Sequence, residues 1–314
     1  MTNPYRIEGP AIISFSGGRT SAYMLWHILD AHGGALPDDV HVCFANTGKE
    51  REETLRFVHE CATRWNVLVR WLEWKPKPPG RRRKKADWAA SFDEVGLNSA
   101  SRKGEPFEAL IRSKQILPNP TKRYCTEKLK IETMKAFMKA QGYRRWQNPV
   151  GLRFDEKRRV TKQDIRNESG KECFTATFPL FQARVTKADI WRFWLGENAD
   201  PRFLTHPLPQ GFDLGLYPYE GNCDDCFLKG FKILVHQERE RPGTANWWVE
   251  QERLHQGKTR KPEMAQFNAD HSYADVQSEV ERSPLLIPID WRELEFDAEC
   301  GVSGTDTRIR CGSR

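Results

Sequence analysis

The sequence predicts an α/β fold, a parallel sheet with helices on both faces, followed by a smaller and mainly helical C-terminal region. Short apolar runs alternate with stretches of helical periodicity through the first part of the chain, which is the pattern of parallel strands joined by crossovers. A glycine-rich turn links the first apolar run directly to the first helical stretch, the usual place for a ligand site in such a sheet. The Trp-rich region from Ala245 onward reads as an accessory helical segment rather than more sheet.

The elements follow in order. Residues 11–15 form the first strand, and Ala22, Leu25, Ile28 and Leu29 then recur at helical spacing until Gly33-Gly34 stops the helix. Residues 40–45 are a second apolar run, and Leu55, Val58, Ala62 and Trp65 mark the next helix face, with a third strand at 67–71. A short helix at 107–115 is broken by Leu117-Pro118-Asn119-Pro120. Thr126 opens another helix with Leu129, Met134 and Phe137 on its apolar side and Gly142 beyond its end. Residues 146–153 make a fourth strand and 174–180 a fifth, after which Thr186-Lys187-Ala188-Asp189 reads as a capping box for a helix through Ile190, Phe193 and Trp194. No internal repeat is visible. The expected domains are 1–230, the α/β unit that carries the glycine-rich turn, with a basic insertion near 75–105, and 231–314, an accessory helical region with a C-terminal tail.

The 314 residues suffice for one large domain or two smaller ones. A net charge of +7 and a pI near 9.0 suggest an anionic partner without separating nucleic acid from a small phosphorylated ligand. The opening Met1-Thr2-Asn3-Pro4-Tyr5-Arg6 has no apolar signal core, and no apolar run approaches the ~20 residues of a membrane span. The expectation is a soluble, cytoplasmic protein with no membrane partner. In Lys75-Pro76-Lys77-Pro78-Pro79-Gly80-Arg81-Arg82-Arg83-Lys84-Lys85 the prolines remove donors and the like charges repel, so the stretch reads as an exposed loop. Arg81, Arg82, Arg83, Lys84 and Lys85 either contact a nucleic acid backbone or form a solvated insertion.

Eight cysteines in such a chain argue for metal or thiol chemistry rather than a disulfide framework. Cys43 in an apolar run and Cys61 on an apolar helix face read as buried fillers, and Cys173 as structural. Cys125, Cys223, Cys226, Cys300 and Cys311 remain. Cys125 begins a helix, where the dipole favours a thiolate. Cys223 and Cys226, two residues apart, can hold one metal or cluster from a single turn, clipped to the rest of the fold by Cys125. Cys300 is the candidate fourth ligand or a free surface thiol, and Cys311 the substitute ligand. All-sulfur ligation suits a [4Fe-4S] cluster and zinc alike.

Ser14-Phe15-Ser16-Gly17-Gly18-Arg19-Thr20-Ser21 is a phosphate-cradling turn: two glycines let backbone N–H groups approach an anion, hydroxyls flank it, and a helix N-terminus follows. It resembles the Ser-Gly-Gly-x-Asp-Ser PP-loop of the adenine nucleotide alpha-hydrolase superfamily, with Thr20 where that family has an aspartate. The resemblance implies a Rossmann-like PP-loop fold and a terminal pyrophosphate of ATP, with magnesium, or the phosphates of an adenylyl sulfate, held by Ser14, Ser16, Gly17, Gly18, Arg19, Thr20 and Ser21. Asn46-Thr47-Gly48, with Glu53-Thr54 after it, is similar to the Asp-Thr-Gly…Glu-Thr motif of the phosphoadenosine phosphosulfate (PAPS) reductase branch, which implies that Asn46, Thr47 and Gly48 lie beside the adenosine. Gly151-Leu152-Arg153 resembles that branch's Gly-x-Arg anion site, so Arg153 is expected on the phosphates. Cys125, Cys223 and Cys226 resemble the cluster ligands of adenylyl sulfate reductases, with Thr126 replacing a second adjacent cysteine. Glu299-Cys300-Gly301 is similar to the Glu-Cys-Gly-x-His end of the sulfonucleotide reductases, though Val302-Ser303 follows and the histidine is missing. The four motifs together imply an enzyme of PP-loop sulfur chemistry, using ATP for adenylation and a cluster for sulfur transfer, with a sulfur donor or a thioredoxin-like protein as partner. The alternatives are a PAPS or adenylyl sulfate reductase with Cys300 as nucleophile, and a nucleic-acid-binding protein with a structural zinc.

Overall fold

The computed structural model describes residues 3–77, 87–196, 212–217, 219–221, 223–257 and 265–283. Six strands form one sheet: β1 (Ala11–Ser14), β2 (Val40–Asn46), β3 (Val69–Lys77), β4 (Asp87–Val95), β5 (Trp146–Pro149) and β6 (Phe174–Thr177). Their order is β4-β3-β2-β1-β5-β6, parallel throughout except for β4, which runs antiparallel to β3 at the edge. The chain therefore moves outward from β1 on one side, then returns to β5 on the other. The reversal lies between β1 and β5, and crevices open at such points beyond the carboxyl ends of the strands.

The side-chain alternation of a strand explains why helices cover both faces. Ile13, Val42, Phe44 and Trp71 pack on one side with α1 (Arg19–Ala31), α2 (Glu52–Arg64) and α7 (Lys187–Leu195), through Leu25, Phe57 and Trp194. Ile12, Cys43 and Leu72 face the other way, onto Phe137 and Met138 of α4 (Thr133–Ala140). Being buried on both faces, β1 and β2 read as continuous apolar runs. Cys43 and Cys61 are fully buried, as their sequence positions suggest.

A further core joins α3 (Glu105–Lys114) to the C-terminal helices α8 (Phe231–Glu240), α9 (Asn246–His255) and α10 (Tyr273–Arg282). Trp248, Phe267 and Tyr273 are its centre, and Phe107, Tyr124, Leu129 and Phe227 pack into it from before residue 230. Between α2 and α3 the structure departs from the expected loop: Lys75, Pro76 and Lys77 end β3 and pair with β4, with a register shift at Pro76/Lys77. One proline is tolerated there because its strand pairs with an edge strand, where a bulge absorbs the missing donor. Arg81, Arg82, Arg83, Lys84 and Lys85 lie outside the described residues, as do Cys300 and Cys311.

Two expected strands are shorter than their apolar runs. The run at 146–153 pairs only as far as Pro149, and that at 174–180 ends at Thr177, because Pro179 opens the short helix α6 (Pro179–Gln182). The helix expected from Thr126 begins as a π-helix, Thr126–Glu132, which runs into α4. The capping box at Thr186 forms, with the Thr186 hydroxyl donating to Asp189 Oδ2 at 2.7 Å.

Candidate functional site

β1 ends at Ser14 and α1 starts at Arg19, so the glycine turn sits at the carboxyl edge of a central strand. Gly17 has φ +77°, and a Cβ there would lie 2.7 Å from Thr54 Cγ2 and 2.9 Å from Val58 Cγ2, so only glycine fits between the turn and α2. The turn is braced from within. Ser16 N–H donates to Ser21 Oγ at 3.2 Å, the two hydroxyls lie 2.9 Å apart, and Ser21 Oγ donates to Gly18 O at 2.9 Å. Ser16 is exposed, and the first N–H groups of α1 face the turn with the positive end of the helix dipole.

Beside this turn a cleft of about 250 Å³ runs over the sheet face at the β1–β5 reversal. Its floor includes Ile12, Trp146 and Phe174, Ser14 and Ser16 lie at one end, and Lys130 and Met134 of the π-helix and α4 form one wall. Gln163 and Arg166 of α5 (Lys157–Glu168) form the opposite wall. Ser14 Oγ donates to Asn148 Oδ1 at 2.8 Å, tying the β1 end to β5 across the reversal. An apolar floor bordered by hydroxyl, amide and cationic side chains suits a flat heteroaromatic ring attached to an anionic tail.

The cysteine group adjoins that cleft. Cys125 immediately precedes the π-helix, while Cys223 bridges to Glu50 just beyond β2. Glu50 is the hub: its Oε2 accepts from the Thr47 N–H at 2.7 Å and hydroxyl at 2.9 Å, and its Oε1 lies 3.4 Å from Lys130 Nζ and 3.7 Å from Cys223 Sγ. Lys130 Nζ is also 3.9 Å from Cys223 Sγ. Burial, with Cys226 nearby, pushes the Cys125 thiol up to about 11, so the helix dipole does not win there. Burial likewise raises Cys223 to about 12, opposed by Lys130 and supported by Glu50, Cys226 and Cys125. Burial works against the charge on Lys130, yet Cys223 and Glu50 outweigh it and its pKa is raised. The turn carrying Cys223 and Cys226 is fastened by buried pairs: Arg51 with Glu220, Lys229 with Glu220 O, and Tyr273 hydroxyl with Asp225 O.

A family model described as the phosphoadenosine phosphosulfate reductase domain matches residues 10–207, which span the turn, the cleft and Cys125. The chain belongs to this family. Among similar proteins, the "Uncharacterized nin region protein ORF290" of Escherichia phage lambda is 28% identical over 224 residues, 69% of this chain and 66% of that protein. The "Uncharacterized protein MJ0066" of Methanocaldococcus jannaschii is 27% identical over 216 residues, 68% of this chain and 36% of that protein. The PAPS reductase-family chain thus spans just under two thirds of the phage relative and about a third of the archaeal one. Proteins of this family bind adenine nucleotides of the PAPS or ATP kind. No helix among the described residues is long and apolar enough to cross a membrane.

Within this PAPS reductase-family site the predicted residues are distributed unevenly. Ser14 and Ser16 line the cleft, and Gly17, Gly18 and Ser21 shape its end. Arg19 is turned to a structural task, its Nε donating to Asp213 Oδ1 at 2.8 Å and its Nη1 to Leu216 O at 2.7 Å. Thr20 packs near Gly151, where a Cβ would stand 3.6 Å from Thr20 Cγ2, so the Gly151-Leu152-Arg153 segment abuts the turn. Arg153 Nε meets Asp155 Oδ1 at 3.0 Å and its Nη1 is 3.6 Å from Glu156 Oε2. Asn46, Thr47 and Gly48 do not line the cleft. Asn46 Nδ2 instead donates to Glu73 Oε1 at 2.6 Å and Ser101 O at 2.9 Å, and Gly48 N–H to Asn46 Oδ1 at 3.2 Å.

Cys125, Cys223 and Cys226 share one neighbourhood: Cys226 helps to raise the Cys125 thiol, and Cys226 and Cys125 both help to raise that of Cys223. Among the described residues no three metal-ligating side chains close into a finished cage. Lys130, Glu50 and Asn148 went unmarked in the sequence. The π-helix explains the first, since its extra residue per turn changes which side chain faces the cleft, and α-helical periodicity does not report it. Glu50 and Asn148 stand in motif-adjacent strand ends, where only a partner across the sheet reveals a role.

Proposed function

We propose that this PAPS reductase-family protein is a PP-loop enzyme of sulfur chemistry that adenylates an acceptor with ATP and replaces the activated oxygen by sulfur. The observation that carries the reading is Lys130: one ammonium lines the nucleotide cleft and also reaches Glu50 at 3.4 Å and Cys223 at 3.9 Å. The cysteine group and the cleft are therefore neighbours in one reaction space. The base and ribose lie over Ile12, Trp146 and Phe174, and the phosphates reach the turn at Ser16 to Ser21 and the α1 N-terminus. Arg153 neutralises charge developing on the phosphates once it exchanges Asp155 for substrate.

In the first step an acceptor oxygen attacks the α-phosphorus and pyrophosphate leaves. In the second, hydrosulfide from a donor protein attacks the acceptor and AMP departs with the oxygen, so no net oxidation or reduction is needed. Three thiols gathered beside the cleft fit an iron–sulfur cluster in donor type, and Cys125, Cys223 and Cys226 would hold it, with Cys300 or Cys311 as the fourth ligand. A bound cluster supplies an iron site that can carry sulfide or fix the geometry of the turn.

The test is anaerobic purification followed by iron and acid-labile sulfide analysis, with ATP and PAPS binding measured on the same sample. A brown protein with about four irons per chain, losing iron in Cys125→Ser, Cys223→Ser and Cys226→Ser, is expected. A colourless zinc protein that binds neither nucleotide sinks the reading. The family description itself favours a second reading, a PAPS or adenylyl sulfate reductase. In that case Cys300→Ser abolishes thiosulfonate formation and leaves the cluster intact, whereas loss of the cluster makes Cys300 a ligand.

A further inference from the structure

Helix α5 is a wall of the cleft that its own packing scarcely explains. Of its 12 residues only Val160 is buried, and Asn167 fastens it by donating to Ala176 O and accepting from Ala176 N–H, both at 2.9 Å. At about 100° per residue, Arg158, Lys162 and Arg166 stand at i, i+4 and i+8 on one ridge, on the side away from Val160 and Asn167. Arg159 flanks the ridge and pairs with Glu156, whereas Asp164 and Glu168 fall on the opposite flank. All four cations are exposed.

Three exposed cations along one ridge, the last of them on the cleft wall, concentrate positive potential beside the cleft, which suits an anionic partner. The ridge extends about 12 Å, and Arg166 belongs both to it and to the cleft wall. Ile165 stands 62% exposed beside the ridge, and Phe154, 44% exposed, lies just before the helix. Cations interleaved with exposed apolar and aromatic side chains suit a flexible strand whose phosphates meet the charges and whose bases stack or pack between them.

We propose that the α5 ridge docks the phosphate backbone of a single-stranded nucleic acid, the acceptor whose reacting atom enters the cleft. The docking surface stands on charge and placement, and it rests on the proposed function only in taking the cleft as the reaction centre. This surface is separate from the basic run at 81–85.

The experiment measures anisotropy of fluorescein-labelled 20-nucleotide DNA and RNA strands with the full chain, from 50 to 200 mM KCl. Arg158→Gln/Lys162→Gln is compared with Arg144→Gln/Arg145→Gln, an exposed basic pair before β5 that removes the same charge. The α5 variant should bind on the order of tenfold or more weakly at 0.1 M salt, with the log–log salt slope shallower by about 1.4, two single-strand phosphate contacts. The tighter of DNA and RNA identifies the acceptor's sugar. Wild-type protein that binds neither strand, equal loss in both variants, or capture of phosphatidylserine vesicles without strand binding overturns the inference. ATP binding is measured on every variant. If it persists while strand binding is absent, only the docking surface fails; if strands bind and ATP does not, the nucleotide reading fails instead.

Discussion

Gly17→Ala is the sharpest probe of how the turn is built, because the structure separates its cost into two parts. The residue sits at φ +77°, and a non-glycine residue in the left-handed region costs about 1–2 kcal/mol. The new methyl would also stand 2.7 Å from Thr54 Cγ2, 2.9 Å from Val58 Cγ2 and 3.3 Å from Phe44 Cε2, all buried and closely packed. Overpacking of that kind adds about 1–3 kcal/mol, so the expected loss is about 2–5 kcal/mol. Gly34→Ala is the control: φ is +90° but nothing lies within 4 Å of the added Cβ, leaving only the backbone cost. Urea unfolding of both variants and of the parent gives the two numbers, and calorimetric titration with ATP reports whether the displaced turn still binds. A Gly17→Ala protein no less stable than Gly34→Ala would refute the argument that the turn is wedged against α2.

Three further perturbations address the rest of the site. Asp213→Ala leaves the buried Arg19 guanidinium without its carboxylate and should cost about 3–5 kcal/mol in urea unfolding; a loss under about 1 kcal/mol means that the pair does not hold the 212–216 segment on α1. Lys130→Met keeps the stem and removes the charge, so ATP affinity and iron content should fall together, and a change in one alone breaks the proposed link between cleft and cysteines. Burial lifts the Glu252 carboxyl from its ordinary 4.5 to about 7, against the hydrogen bonds from Tyr273 and Phe267 N–H. The folded protein then holds this proton where the unfolded chain has lost it, so up to about 3 kcal/mol of stability present at pH 4.5 disappears by pH 7 and stays lost above. Midpoints of urea unfolding across that window should decline less in Glu252→Gln than in the parent; parallel profiles would show that Glu252 is ionised throughout.

The sheet was legible because strands buried on both faces are unbroken apolar runs, and β1 and β2 stand out for that reason. The edge strand β4 did not stand out. Its sequence, Asp-Trp-Ala-Ala-Ser-Phe-Asp-Glu-Val, lacks an apolar run, Asp93 and Glu94 are exposed, and it is a strand because β3 offers it a free edge rather than because of its own periodicity. The same division runs through the site. The glycine turn and the three cysteines announce themselves by residue type and spacing, whereas Arg19 looked like a phosphate ligand until Asp213, 194 positions away, appeared as its partner. Asn46, Thr47 and Glu50 likewise form hydrogen bonds that fix the strand end, and no local pattern distinguishes such bracing from contact with a ligand.

That bracing is itself informative about how the cleft is positioned. Thr47 and Lys130 converge on Glu50, and the backbone bridge from Glu50 to Cys223 carries the cysteine turn onto the end of β2. The second motif therefore supports the site from behind while the π-helix supplies its front, and Lys130 is the residue that touches both. A carboxylate fully withdrawn from water is costly unless its oxygens are occupied. The Thr47 N–H and hydroxyl and the Lys130 ammonium meet that requirement, with Cys223 in contact beside them. Any group bound at the cysteines that alters the charge near Lys130 must therefore alter the balance at Glu50, and with it the end of the strand next to the glycine turn. In the proposed reaction, coupling between a sulfur-bound centre and the cleft would run through Lys130, which lines the cleft and pairs with that one buried carboxylate.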